Sequence, residues 1–403
     1  MTVPRQRRFP RTMDASSSSS RPRSPRSPTT KPVVMMMVQK KPSRVNNNLS
    51  TVSGLLCGLT VLPLSPPRPV SAALIVGLTV VLTSTLLFDP RGREVLLVKF
   101  ALWVKGGTMM AIGRDKKWKK ASADPALVEG AADKRSKRLI FVRHGESTWN
   151  LIFNVGPKIL VPVKAIVALV REILFALRLD PNSTFFDSPL NDSGLQQAKD
   201  LDDILWKHED LQSAVITTSN LRRAAQTVAL AAKTRLEADP ETKVVVLSSL
   251  QEISTNVDTL SLTPALKAPT LENVPAHLCS DDRFDVSCNT GNKLLRGNGL
   301  QRMQAFAEWA FQRDEDTIIV GGHSLYFRSF FREFLPRGQN PFSAREVKVA
   351  NGGVVALTLE RGTVADDAGL AGIQYRIDPA SITELHIGFD KPKTKKKNTK
   401  KDA

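Results

Sequence analysis

The run Leu139-Ile140-Phe141-Val142 stops abruptly at Arg143-His144-Gly145-Glu146-Ser147-Thr148-Trp149-Asn150, and no other feature constrains the fold of this 403-residue chain as tightly. An uninterrupted short apolar run suits a strand buried on both faces, as in a parallel sheet. Ligands of such sheets gather at the carboxyl ends of the strands, so His144 is expected at a crevice. A neutral imidazole is a competent nucleophile toward phosphorus. Arg143 beside it offers a planar fork of donors matched to phosphoryl oxygens. A surface turn with an incidental histidine is the bland alternative, and an Arg-His-Gly triplet alone does not exclude it.

Further apolar runs extend the pattern. Residues 214–218 read as a second buried strand, followed by Ser219-Asn220-Leu221-Arg222-Arg223-Ala224 opening a helix. Residues 244–247 read as a third strand, with Glu252 shortly after it, and residues 317–320 as a fourth, running into Gly321-Gly322-His323-Ser324. Ser193, in the turn Asn191-Asp192-Ser193-Gly194, is a plausible helix N-cap. His208, His277 and His386 lack a strand-and-glycine setting and read as structural or surface residues.

In this order the motifs resemble the histidine phosphatase superfamily, the phosphoglycerate-mutase-like fold, over roughly residues 137 to 380. The resemblance implies a three-layer α/β/α domain with a mostly parallel central sheet, and Asn351-Gly352-Gly353-Val354 resembles the family's closing strand. It assigns phosphate binding to Arg223 within a Ser-x-Leu-x-Arg-Ala pattern, leaving Arg222 one step round the helix and facing solvent. It makes Glu252 the candidate general acid and His323 the second histidine. Ser147 and Asn150 match positions that hold the phosphoryl group, although Ser147 alternatively only fixes the loop. On this reading His144 attacks phosphorus in line, Arg143, Arg223 and His323 neutralise charge on the non-bridging oxygens, and the helix N-terminus adds free N–H groups. Glu252 protonates the leaving oxygen and then activates water. No metal and no cofactor are expected, since the arginines supply the charge.

Phosphoglycerate mutases follow that glutamate with an Arg-His-Tyr-Gly type sequence, whereas here Ile253-Ser254-Thr255-Asn256 follows. A phosphatase acting on a phosphorylated small molecule, lipid or protein is therefore favoured over a mutase. A catalytically silent membrane scaffold or adaptor is the third class. Residues 254–296 are expected to cover the site, with Cys279 and Cys288 as structural thiols.

Charge sorts the rest of the chain. Residues 1–48 carry eleven Lys or Arg against one acid and residues 390–403 seven against two, so the tails hold +15 of the net +18. The part between is close to neutral, which argues against nucleic-acid binding by the folded domain. The Ser- and Pro-rich front is expected to be disordered. Residues 70–88 are uncharged and long enough to span a bilayer, 49–64 form a second candidate span, and 91–136 read as a basic linker. A buried core helix is the other reading of 70–88. Arg91, Arg93, Lys99 and Lys105 would hold the following side in the cytosol. Between Asn150 and Asp187 lies an insertion, 158–178, in which Lys164, Arg171 and Arg178 recur every seven residues opposite an apolar face. It reads as an interfacial helix, a helix packed on the core, or a cap over the site. Lys400 and Lys401 resemble a dilysine retrieval signal and favour the endoplasmic reticulum over a plastid or mitochondrion.

Overall fold

The computed structural model describes residues 89–119, 123–365 and 371–391, with the isolated positions Gly77 and Ser84. The front tail, the apolar stretch 49–64, nearly all of 70–88 and the terminal lysines lie outside the described residues.

The apolar run at 139–142 is the centre of strand β1, Arg135–Arg143. It pairs in parallel with β5, Thr317–Gly322, which pairs in parallel with β2, Val215–Ser219. Beyond β2 come β3, Val244–Leu247, and the two-residue β4, Phe284–Asp285, also parallel. On the other side of β1 the sheet turns antiparallel, through β6, Val354–Ala365, to β7, Ala371–Ile377, and β8, Thr383–His386. The sheet is therefore mixed, in the order β4-β3-β2-β5-β1-β6-β7 with β8 on β6.

Successive strand residues point to opposite faces, and each face has its own helices. Leu139 and Phe141 join one core with Phe306 and Ala310 of the helix Gly299–Gln312 and with Phe327 and Phe330 of the helix Ser324–Phe334. Phe141 and Phe327 stack at 4.2 Å. Ile140 and Val142 join the opposite core with Leu201 and Leu205 of the helix Asp192–Leu205 and with Val228 and Ala231 of the helix Arg222–Ala231. In chain order the helices used below are α1, Pro90–Ile112; α2, Thr148–Phe153; α3, Val161–Leu177; α4, Asp192–Leu205; α5, Arg222–Ala231; α6, Gly299–Gln312; and α7, Ser324–Phe334.

Three local expectations are corrected. The cap of α4 is Asn191, whose side chain accepts from Gly194 N at 2.9 Å, and Ser193 already lies inside the helix. The first half of the stretch read as a linker is the 23-residue α1, opened by Asp89 as N-cap and Pro90 at the first turn. Its charges had marked it as linker, yet Lys99 is buried and paired with Glu172 at 3.2 Å, and Gly106 is so close to the domain that a Cβ there would meet Val257 at 2.8 Å. By length and composition alone α1 is apolar enough to cross a membrane. In the insertion the regular basic stripe loses Lys164, which donates to the carbonyls of Leu151 and Val155 at 2.8 and 2.9 Å.

Candidate active site

His144 follows the last residue of β1, and its backbone is held on two sides. His144 N donates to Gly322 O of β5 at 3.1 Å, and Gly352 N donates to His144 O at 3.4 Å. The next residue has no room for a side chain, because a Cβ on Gly145 would lie 2.5 Å from the carbonyl oxygen of Gly194. Thr227 of α5 closes the loop from below. Its hydroxyl accepts from Gly145 N at 3.1 Å and donates to Arg223 O at 2.8 Å, which ties the turn carrying His144 to the helix carrying Arg223.

His144 is 4% exposed, and its Nδ1 lies 2.7 Å from the carbonyl of Gly145. A carbonyl only accepts, so Nδ1 carries the proton and Nε2 keeps the lone pair when the ring is neutral. Burial, reinforced by Arg223 and Arg143, drives its pKa well below 6.5. The ring is thus uncharged at neutral pH. His323, the N-cap of α7, lies with its ring centroid 5.2 Å from that of His144 and is also held neutral, by burial first and then by Arg223. Its Nε2 is 2.7 Å from Ser219 Oγ. Ser219 Oγ also accepts from Leu221 N at 3.2 Å. The other ring nitrogen of His323, Nδ1, is buried and has no hydrogen-bond partner among the described residues.

Two guanidinium groups complete the cluster. Arg143 donates through Nη1 to Val349 O at 2.8 Å, its Nε has no partner among the described residues, and burial lowers its pKa to about 10. Arg223 donates to Asp258 O at 2.9 Å and lies 3.5 Å from that carboxylate. Glu252 accepts from Ile253 N at 2.9 Å, from Tyr326 N at 2.8 Å and from Leu325 N at 3.3 Å, which seats its carboxylate on the N-terminus of α7 one residue beyond His323. Helix N-termini favour anions, so this position fixes where the carboxylate points. Ser147 N-caps α2, and its hydroxyl bonds to Asn150 Oδ1 at 3.1 Å. The two side chains face one another.

Arg222 does not face solvent. It is 3% exposed and donates to Asp187 O and Asn182 Oδ1 at 2.9 and 2.7 Å. Its own N–H is also taken, by Asp187 Oδ1 at 2.7 Å, so that helix N-terminus does not present a free Arg222 N–H to an anion. The insertion and the residues after it supply Asn182 and Asp187, and nothing near Arg222 in sequence announces them.

The sequence also gave no sign of the supports behind Glu252. Lys293 is buried and reaches Glu252 O at 2.7 Å, Thr259 Oγ1 at 3.0 Å and the carboxylate of Asp115 at 2.9 Å, and burial lowers its pKa to about 8. Asp115 also accepts from Ser254 N at 2.9 Å and from Arg302 at 2.6 Å. Asp258 is the other missed residue. Burial raises its pKa, Arg223 opposes that rise, and Glu252 adds to it.

Residues 184–367 match the family model of the histidine phosphatase superfamily, branch 1. The match begins beyond the insertion, so the loop bearing His144 lies outside it and enters the site through the geometry above. Among solved structures, the chain is similar to a mycobacterial glucosyl-3-phosphoglycerate phosphatase complexed with VO3, at 15% identity over 60% of this chain and 97% of that one, with a TM-score of 0.32. It is also similar to a mutant phosphoserine phosphatase from Entamoeba histolytica in complex with phosphoserine, at 15% identity over 59% and 96%, with a TM-score of 0.30. No curated protein matches the chain at a significant level. Residues 184–367 thus carry the match to the histidine phosphatase superfamily, within the same α/β domain that holds both histidines.

Proposed function

We propose that the protein is a membrane-anchored phosphomonoesterase that works through a phosphohistidine on His144, without a metal. The observation that carries this reading is the ring orientation of His144. Its Nδ1 is engaged by Gly145 O and its Nε2 is left as a neutral nucleophile, between Arg143, Arg223 and His323. In the first step the Nε2 lone pair forms a bond to phosphorus as the P–O bond to the leaving group breaks, and Glu252 donates a proton to that oxygen. In the second, water attacks phosphorus, the P–N bond breaks, inorganic phosphate leaves and the Glu252 carboxylate takes the proton from water. Arg143 Nε and His323 Nδ1, both without partners among the described residues, are suited to the charge that builds on the non-bridging oxygens. Ser147 and Asn150 act in this reading by holding the loop.

The membrane part rests on the composition of residues 70–88 and on α1. The cytosolic side and the endoplasmic reticulum rest on sequence alone, on Arg91, Arg93 and Lys105 and on Lys400 and Lys401. Lys99 no longer counts toward that charge set, because it is neutralised by Glu172.

A panel of phosphomonoesters, assayed without added metal, tests the reaction. Phosphate release is expected, whereas transfer between substrate positions would make the protein a mutase and neither would make it a scaffold. In the same assay Glu252→Gln should slow alkyl phosphates by roughly 10²–10⁴-fold and leave activated aryl phosphates near the wild-type rate, since only a poor leaving group needs the proton. Equal losses on both would remove Glu252 from the acid role.

A further inference from the structure

Helices α1 and α3 share a construction that a water-soluble surface does not need. On α1 the inward positions are Lys99, Leu102, Gly106 and Met109, and the opposite side exposes Leu97, Phe100 and Val104. On α3 the inward positions are Ala168 and Glu172, and the opposite side exposes Ile166, Val170 and Ile173, each at 50% or more. Such broad exposure of large apolar side chains on two helices marks an interaction surface. The charges that would spoil this surface are turned inward and cancelled. The Lys99 ammonium meets Glu172, whose other oxygen accepts from Ser183 Oγ and Thr184 N at 2.8 Å each. Exposed cations bracket the apolar faces, with Arg91 and Arg93 before the middle of α1, Arg114, Lys116 and Lys117 after its end, and Arg171 and Arg178 on and beyond α3. An apolar face edged by cations complements a bilayer with anionic head groups.

Both helices are also fastened to the catalytic loops. Alpha-3 follows the His144 loop after α2, and Lys164 ties it back to the end of α2. Alpha-1 packs Leu102 against Phe186 and Leu260 and leads to Asp115, which holds Lys293 and Ser254 beside Glu252. Because the domain packs along one side of α1, this helix does not stand free to cross a bilayer.

We infer that α1 and α3 form a platform lying in the plane of the membrane surface, and that the site takes its phosphomonoester from a lipid. The substrate class rests on the phosphatase reading above, and the platform does not. The test uses the full chain and its triple variant Ile166→Glu, Val170→Glu, Ile173→Glu, all at exposed positions. Phosphate release is followed from phosphatidate in phosphatidylcholine vesicles, from glycerol 3-phosphate and from p-nitrophenyl phosphate. The wild type should favour phosphatidate over glycerol 3-phosphate by at least about tenfold. The variant should lose at least about tenfold on vesicles while keeping its p-nitrophenyl phosphate rate. Equal rates of the two proteins on vesicles, or a wild-type preference for glycerol 3-phosphate, would overturn the lipid substrate. If none of the three substrates is turned over, the phosphatase reading fails, and the platform is read separately. A fluorophore on Val170→Cys, with the native cysteines replaced by serine, should be quenched by brominated phospholipid vesicles, and an unquenched fluorophore would overturn the platform.

Discussion

Two buried imidazoles place a pH limit on the fold. His144 and His323 are held neutral when folded, below the 6.5 of a free imidazole. As the pH falls below 6.5, the unfolded chain therefore takes up protons before the folded one does. Each histidine then removes up to about 1.4 kcal/mol of stability per pH unit, until its own folded pKa is reached. Asp187 and Asp258, raised by burial, act in the opposite sense and gain protons first in the folded state. A His323→Asn variant isolates one of these terms. Its stability relative to wild type, from urea denaturation at each pH, should rise steadily as the pH is lowered from 7 through 6.5. A difference that stays flat would mean that His323 is not held neutral. At this scale the sequence was legible for the residues that the strand ends bring together. His144, Glu252 and His323 converge as the strand ends predict, and Arg143 and Arg223 with them. Arg222, Asp115 and Lys293 were not legible, because their partners lie 35, 178 and 178 residues away and local pattern carries no record of such pairs.

Among the elements, the β-strands were the most readable and the helices outside the sheet the least. Each run at 139–142, 244–247 and 317–320 is a strand, since a buried parallel strand has the same apolar requirement at every position. The antiparallel edge strands β7 and β8 alternate weakly, with exposed or half-exposed residues over most of their length, and left no comparable signal. Alpha-1 was hidden by its cations. The Lys99–Glu172 pair that resolves this makes a direct prediction about the two helices. Truncating one partner leaves a buried charge unpaired and should cost about 3–5 kcal/mol, whereas replacing both by apolar residues of similar size should cost far less. Chemical denaturation of Lys99→Met, Glu172→Leu and the double variant measures this. Single and double variants of equal cost would show that the pair does not hold α1 to α3.

For the whole molecule, one domain places a neutral histidine, two arginines and a helix-seated glutamate at the ends of parallel strands. Two apolar helices are built onto the same loops. The central claim is that phosphorus is captured by Nε2 of His144, and trapping the intermediate tests it most directly. The full-length protein is incubated with a phosphomonoester, quenched in alkali and examined by peptide mapping and ³¹P NMR. Phosphate is expected on His144 as the Nε2-linked isomer, absent in His144→Ala, whose turnover should fall by at least about 10⁴-fold. If no phosphohistidine forms while wild-type enzyme turns over, or if His144→Ala keeps the wild-type rate, the covalent mechanism is contradicted.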